Sequence, residues 1–283
     1  MNAGDRLFIT LQYLLPQHLV SRLAGYLADT NINWLKNFLI ERFIAHFDVD
    51  MTETPKQDAA DYGTFNEFFT RPLREGARAI AQYPGSIVAP ADGAVSELGE
   101  IVDGRLLQAK NQQYSLAALL GGSVELAEEF AGGKFATVYL APRDYHRVHM
   151  PIEGTLRKSI YVPGELFSVN QTTGKHVPGL FARNERLVCV FDGVSSPFIL
   201  VLVGAVIVAG IETVWSGQIT PKSRTACISD YSRAIALNKG DEMGRFKLGS
   251  TVIALFPQGC AKFDKTLQTG AILRMGQLIG ELL

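Results

Sequence analysis

Three polar stretches of the chain carry side chains that could act as an acid, a base or a nucleophile. Asp92 lies in Pro-Ala-Asp-Gly, His146 and His149 are three residues apart, and Ser250 follows Gly249. Histidine titrates near neutral pH, and a serine hydroxyl becomes a useful nucleophile only when a base lies beside it. The three residue types could therefore perform acyl chemistry, provided that the fold brings them into one site.

Each stretch by itself also has a plain structural explanation. Asp-Gly at 92–93 is a strong turn signal, and Gly249-Ser250 lacks the Gly-x-Ser-x-Gly pattern of a nucleophile elbow. The histidine pair could bind a metal, act as acid and base, or belong to a polar turn, and its spacing alone favours the turn. Zinc would need a further ligand at a recognisable spacing, which the sequence does not offer, so we predict no metal site.

The composition limits the classes of protein to which the chain can belong. Its 283 residues suffice for one large domain with a smaller appendage, and its net charge of −1 gives no electrostatic reason to expect a nucleic-acid partner. The 3 cysteines include no Cys-x-x-Cys, so we expect reduced thiols. No basic cluster precedes an apolar run at the N-terminus, so we expect no secretory signal. The apolar run at 198–211 is too short to cross a bilayer and is predicted to be a buried strand.

The first fifty residues have the apolar spacing of amphipathic helices. Leucines and aromatic residues recur at intervals of three and four over 7–15, 19–27 and 35–47, which predicts three helices. Pro16 is expected to be the first residue of the second helix, and Asn31 or Asn33 to cap the third. Their apolar faces could pack on a core or lie in a membrane interface, and the pattern alone does not decide between these two.

The remaining sequence is typical of a β-rich domain. A polar connector is predicted at 48–62, and Thr64 with Glu67 forms a capping box that begins a short helix. From about residue 86, short β-branched runs alternate with Gly and Pro, which is typical of an antiparallel sandwich or barrel. Strands are predicted at 87–88, 136–140, 159–162, 186–191, 198–208 and 251–256.

Three further local structures can be predicted within this domain. One helix is expected at 115–120 or 124–130, and Pro163-Gly164 is predicted to form a type II turn. The polar residues 217–243 are predicted to form a long loop. The sequence therefore predicts an α+β chain, with N-terminal amphipathic helices and a connector at 1–62 and a β-rich catalytic domain at 63–283.

Taken together, the three polar stretches are more specific than any one of them. Residues 90–93, 142–151 and 246–251 closely resemble the phosphatidylserine decarboxylase proenzymes of bacteria. The resemblance continues through three further stretches, at 64–73, 161–170 and 180–186. Residues 221–238 carry no motif that we recognise from this family.

This resemblance implies a chain that cuts itself between Gly249 and Ser250, into a β chain of residues 1–249 and an α chain of residues 250–283. His149 matches the base of the family and Asp92 its orienting carboxylate. Ser250 would become a covalent pyruvoyl cofactor, which forms a Schiff base with phosphatidylserine. The pyruvoyl group then serves as the electron sink for loss of CO₂, and the product is phosphatidylethanolamine.

The resemblance also implies supporting roles for other residues. His146 is expected to protonate the carbanion or to position the substrate carboxylate, and Phe167 and Ser168 to line the substrate site. A lipid substrate implies a peripheral protein on the cytoplasmic side of the cell inner membrane, and the family leads us to expect a homodimer. Two alternatives remain: a serine hydrolase that uses Asp92, His149 and Ser250 on an intact chain, and a lipid-binding β domain without catalysis.

Overall fold

The fold is known from a computed structural model, which describes residues 3–109, 112–206, 210–219, 225–231, 233–247 and 250–283. Helices occupy the N-terminal region and antiparallel strands dominate the remainder, which confirms the predicted α+β class. Within the described ranges, no helix is long and apolar enough to cross a membrane.

Three helices begin the chain, as predicted: α1 (Ala3–Leu14), α2 (Gln17–Ala28) and α3 (Asn33–Phe47). Pro16 immediately precedes α2 and is not its first residue. The residue before α3 is Ile32, without a side-chain cap, so the prediction of an asparagine cap was wrong. The position of α3 is instead fixed by tertiary contacts, since Lys36 is buried and donates to the carbonyl of Ala59 at 3.0 Å.

A short helix, α4 (Phe65–Phe69), packs on α3 and forms a small separate core. The predicted capping box is confirmed at Thr64, whose hydroxyl accepts from the Glu67 N–H at 3.1 Å. The Glu67 carboxylate reaches one residue further back, to the N–H of Gly63 at 2.7 Å. Edge-to-face contacts join Phe43 of α3 to three phenylalanines of α4, so aromatic packing holds the two helices together.

The β domain contains eighteen strands in the described residues: β1 (Ser86–Val88), β2 (Gly93–Glu100), β3 (Arg105–Ala109), β4 (Gln112–Ser115), β5 (Lys134–Leu140), β6 (Arg147–His149), β7 (Gly154–Val162), β8 (Arg186–Gly193), β9 (Pro197–Val203), β10 (Gly210–Thr213), β11 (Gly217–Gln218), β12 (Cys227–Asp230), β13 (Ala236–Leu237), β14 (Glu242–Lys247), β15 (Ser250–Phe256), β16 (Ala261–Phe263), β17 (Ile272–Leu273) and β18 (Leu278–Leu282). Short helices lie between them: α5 (Leu116–Leu119), α6 (Val124–Glu129), α7 (Gln171–His176) and α8 (Leu180–Arg183).

The strands form two sheets that matter for the site. The larger is antiparallel, in the order β12-β7-β8-β9-β15-β5-β2-β17, with β13 also paired to β7. The smaller has the order β11-β10-β14-β6. Alternate residues of the central strands face opposite sides, so the larger sheet has two cores. The smaller sheet packs on the first core and the short helices cover the second, which gives a layered, sandwich-like domain.

Several local predictions were wrong in detail. The strand predicted at 198–208 ends at Val203, and residues 207–209 lie outside the described part of the chain. The segment 217–243 is not one long loop, because β11, β12 and β13 pair with neighbouring strands. Gly164 has no positive φ, so the turn there is not type II. It is glycine for another reason, since a Cβ atom would clash with the carbonyl oxygen of Arg183. Helices are confirmed at both suggested positions, as α5 and α6.

Candidate active site

The predicted catalytic segments meet at one end of the larger sheet. Strand β2 begins just after Asp92, and β15 begins at Ser250. Strand β5 lies between them, with Tyr139 paired to Ala94 on one side and to Thr251 on the other. Neighbouring strands are about 4.8 Å apart, so the backbones of β2 and β15 are roughly 10 Å apart at this end. Residues from opposite ends of the sequence are thus brought within reach of one site.

The histidine segment joins this end of the sheet through backbone hydrogen bonds. The N–H of His149 donates to the carbonyl of Pro90 at 2.7 Å, two residues before Asp92. Strand β6 also pairs with β14, and Phe246 donates to the carbonyl of His146 at 3.0 Å. The chain that approaches residue 249 therefore runs alongside both histidines.

The described strands on either side of the predicted scissile bond belong to different sheets. Strand β14 of the smaller sheet ends at Lys247, and β15 of the larger sheet begins at Ser250. Gly249 lies outside the described residues, and Ser250 is described through its backbone pairing with Leu140. The described strands before and after the predicted cleavage site are therefore each held by pairing, in two different sheets.

His149 is buried, and both of its ring nitrogens have partners. Nδ1 lies 2.8 Å from the carbonyl oxygen of Gly240, and Nε2 lies 2.9 Å from the hydroxyl of Tyr145. Because a carbonyl can only accept, Nδ1 carries the proton. Burial lowers the pKa of His149 below its ordinary value, so the ring is neutral at pH 7 and Nε2 presents a lone pair. Nε2 is therefore the atom that can act as a base.

Asp92 is almost completely buried, but its carboxylate binds partners other than His149. Its oxygens accept from Arg78 at 2.5 and 3.1 Å, from Arg274 at 3.2 Å, and from the N–H of Met275 at 2.8 Å. Within the described part of the chain, no hydrogen bond joins Asp92 to His149, and the Gly240 carbonyl takes the orienting position at Nδ1. The role of Asp92 as the orienting carboxylate stays a prediction.

The Asp92 carboxylate belongs to a charged network that borders a cavity. Arg78 also donates to both oxygens of Glu53, at 2.7 and 2.8 Å, and Arg274 contacts both carboxylates. A cavity of about 240 Å³ opens beside Asp92, Tyr145 and Arg274. The network ties the 48–62 connector and the C-terminal residues to the predicted catalytic segment.

His146 is fully buried, and its ring stacks on Phe69 at a centroid distance of 4.0 Å. Nε2 lies 3.3 Å from the carbonyl of Pro142 and therefore carries the proton, whereas Nδ1 has no hydrogen-bond partner among the described residues. Burial lowers the pKa of His146 to about 3. The ring is therefore neutral at pH 7 and offers an unpaired acceptor, which is unusual for a buried polar atom.

Phe167 and Ser168 contact the N-terminal helices. The N–H of Ser168 donates to the side-chain oxygen of Gln12 at 2.9 Å, and the N–H of Leu166 donates to that of Gln17 at 2.6 Å. The Phe167 ring meets Tyr13 edge to face at 4.9 Å and packs in the second core. Whether these residues line the substrate site stays a prediction, but α1 and α2 hold the segment directly.

Sequence reasoning missed most of the residues that support the site. Tyr145 lies in one of the stretches that carry the family resemblance, so its position could have suggested a role. The partners of His149 and Asp92 had no such signal, because Gly240 contributes only a backbone carbonyl and Arg78 lies in an irregular segment. Gln12 and Gln17 are polar residues in otherwise apolar stretches, and this polarity could have indicated that their side chains form hydrogen bonds.

Comparison with known proteins decides the family. The model of the family described as phosphatidylserine decarboxylase matches residues 65–281, and a second family model, described as PSD, matches residues 7–48. The chain belongs to the phosphatidylserine decarboxylase family. The resemblance predicted from the sequence is thereby confirmed.

Members of the family from several bacteria align over nearly their whole length. The phosphatidylserine decarboxylase proenzyme of Pseudomonas aeruginosa (strain LESB58) is 56% identical over 283 residues, covering 99% of this chain and 98% of the relative. The enzyme of the same name from Alcanivorax borkumensis is 54% identical, covering 99% of this chain and 97% of that relative. That from Pseudomonas fluorescens (strain Pf-5) is 54% identical over 279 residues, or 97% of each chain. These alignments therefore cover both the helical region and the β domain of this chain.

Proposed function

We propose that this chain is the precursor of a phosphatidylserine decarboxylase and that it cuts its own Gly249–Ser250 bond to make a pyruvoyl group. Membership of the family supports the conversion of phosphatidylserine to phosphatidylethanolamine, and the relatives' designation as proenzymes supports processing. The observation that carries the proposal is the neutral His149, whose Nε2 is an acceptor and whose strand pairs with the strand that leads to residue 249.

In the proposed cleavage, the Ser250 hydroxyl gives its proton to Nε2 of His149 while its oxygen attacks the carbonyl carbon of Gly249. Glycine suits this position because the absence of a Cβ atom permits close approach. Nε2 then returns the proton to the departing Ser250 nitrogen, and the amide has become an ester. Elimination of the Gly249 carboxylate leaves dehydroalanine at position 250, which tautomerises and hydrolyses to the pyruvoyl group and ammonia.

When present, the pyruvoyl group supplies an electron sink for the electron pair of the breaking bond to CO₂. The buried Nδ1 of His146, which has no hydrogen-bond partner among the described residues, fits a site for a polar substrate beside it. A neutral His146 can accept a hydrogen bond there, for example from the substrate amine, but cannot supply a proton until it is itself protonated. We therefore propose that His146 positions the substrate, since burial disfavours the charged form that an acid needs.

The two proposed chains would stay together after cleavage. Strand β15, which begins the α chain of residues 250–283, lies between β5 and β9 and pairs with both. Strands β17 and β18 pair with β2 and β1 of the proposed β chain. The new N-terminus at position 250 would therefore be held at the end of a central strand, next to the segments that carry Asp92 and His149.

We further propose that residues 1–62 attach the enzyme to the cytoplasmic side of the cell inner membrane as a peripheral protein, leaving residues 63–283 as the catalytic domain. Large apolar side chains on the three helices face solvent; Leu14, Tyr26 and Trp34 are each more than 70% exposed. Such a surface suits a membrane interface, where a diacyl substrate must be reached. The homodimer expected from the resemblance stays a prediction.

The test is the covalent state of the purified chain. Intact mass spectrometry and a denaturing gel should separate two fragments, residues 1–249 and 250–283. The smaller should have a blocked N-terminus that phenylhydrazine labels, as a ketone does. Ser250→Ala should remain one uncut chain that is neither labelled nor active on phosphatidylserine vesicles.

Two other results would contradict the proposal. One uncut chain with a reactive serine would favour the serine hydrolase, which needs the Ser250 hydroxyl intact. An uncut chain that binds vesicles and has no activity would favour the lipid-binding domain. Ser229→Ala is a suitable matched control, because Ser229 lies on β12, at the far edge of the larger sheet, and should have no effect on cleavage.

A further inference from the structure

The hydroxyl of Tyr145 is the partner of the base nitrogen and has no role in the chemistry described above. It lies 2.9 Å from Nε2 of His149, and the two rings are 5.6 Å apart with their planes tilted by 34°. Tyr145 is 6% exposed, and this is the one hydrogen bond of its hydroxyl to the described residues. A buried phenol that is hydrogen-bonded to the reactive nitrogen of a base can influence both the orientation and the pKa of that base.

The direction of this hydrogen bond follows from the other ring nitrogen. Since Nδ1 donates to the Gly240 carbonyl and the ring is neutral, Nε2 can only accept. The Tyr145 O–H must therefore donate to Nε2. Burial raises the pKa of Tyr145, so the phenol keeps its proton across the working pH range. In this state the lone pair of the base is already occupied.

We propose that Tyr145 is a positioning residue for self-cleavage. Its hydroxyl orients Nε2 of His149, and it gives up its hydrogen bond to Nε2 when Nε2 takes the proton of the attacking hydroxyl. This proposal rests on the proposed function. When Nε2 takes the Ser250 proton, the Tyr145 O–H can no longer donate to it, and the phenol oxygen can accept from the new Nε2–H. When Nε2 passes the proton to the departing nitrogen, Tyr145 donates again. No proton is gained or lost by Tyr145 over the cycle.

The carboxylates near His149 are paired with arginines, which leaves the hydrogen bond from Tyr145 as a local influence on the pKa of His149. Glu242, opposite His149 on β14, is held by Arg147 at 2.7 Å and by Arg245 at 2.9 Å. Asp92 acts on His149 as a more distant charge and is neutralised by its own arginines. A donor at Nε2 stabilises the neutral ring, so removing the phenol hydroxyl should raise the pKa of His149.

The experiment compares Tyr145→Phe with the unchanged chain in two measurements. The rate of self-cleavage is followed against pH in freshly synthesised protein from cell-free translation. The protonation of His149 is followed by nitrogen-15 NMR in the uncut Ser250→Ala background. Tyr231→Phe is the matched control, because it removes a phenol hydroxyl that contacts Ser159 at 2.8 Å and Trp215 at 3.1 Å at the far edge of the sheet.

We expect Tyr145→Phe to move the midpoints of both pH curves upward by about half to one pH unit, with slower cleavage at the plateau. Tyr231→Phe should move neither. An unchanged His149 titration in Tyr145→Phe, together with an unchanged cleavage profile, would overturn the proposal. Failure of the proposed function is distinguishable, because the unchanged chain would then not cut itself at any pH, while the NMR titration would still report the hydrogen bond.

Discussion

Replacing Asp92 by asparagine separates two roles that this carboxylate could have. If Asp92 orients His149 directly, the substitution should disturb the imidazole. If it acts through the network seen in the structure, it should loosen the contacts of Arg78, Arg274 and Met275 instead. We expect the second result, since the Gly240 carbonyl already holds Nδ1 of His149.

The size of the effect follows from burial and from the partners that remain. Both the Asp92 and Arg78 side chains are at most 5% exposed, and breaking a buried ion pair from one side costs about 3–5 kcal/mol. Arg78 keeps two hydrogen bonds to Glu53, and in Asp92→Asn the amide oxygen of the new side chain can still accept from the N–H of Met275. The expected loss in the free energy of unfolding therefore lies at the lower end of that range, about 3 kcal/mol.

Urea unfolding of the uncut Ser250→Ala chain, with and without Asp92→Asn, measures this loss. Glu53→Gln is the matched control, because it removes the other carboxylate of Arg78 from a more exposed position and should cost less. Nitrogen-15 NMR of His149 should show the same tautomer in all three proteins. A loss below about 0.5 kcal/mol, together with a changed His149 tautomer, would refute this reasoning and favour direct orientation.

Two further predictions concern pH and the N-terminal helices. The pKa of His146 in the folded chain is about 3, below the ordinary value of 6.5, so the unfolded chain binds more protons between these two pH values. The free energy of unfolding should therefore fall as pH falls through this window, by at most about 1.4 kcal/mol per pH unit from this group. His146→Phe should flatten that slope in acid unfolding curves. Gln12→Leu leaves the N–H of Ser168 without its side-chain acceptor, which should lower the free energy of unfolding by roughly 1–3 kcal/mol. Decarboxylation on vesicles should become several-fold slower, and self-cleavage should not change. Equal activity in Gln12→Leu and in the exposed control Gln268→Leu would contradict the idea that α1 positions this segment.

The local structure of much of the chain could be predicted from its sequence. Helical spacing located α1, α2 and α3, and the Thr64 capping box located the start of α4. Runs of β-branched residues located the central strands, because successive residues of these strands are buried alternately in the two cores. The three polar stretches together also indicated the family, which the match of the family model to residues 65–281 confirmed.

The partners within the site depend on contacts between distant segments. The residues that lead into β14 bring Gly240 to Nδ1 of His149 through a backbone carbonyl, which every residue possesses and no sequence pattern marks. Arg78 reaches Asp92 from an irregular segment whose path depends on how the N-terminal region packs. Residue types and their order were enough to indicate which side chains could do chemistry. The pairing of distant strands then set which atoms those side chains face, because a hydrogen bond depends on position within a few tenths of an ångström.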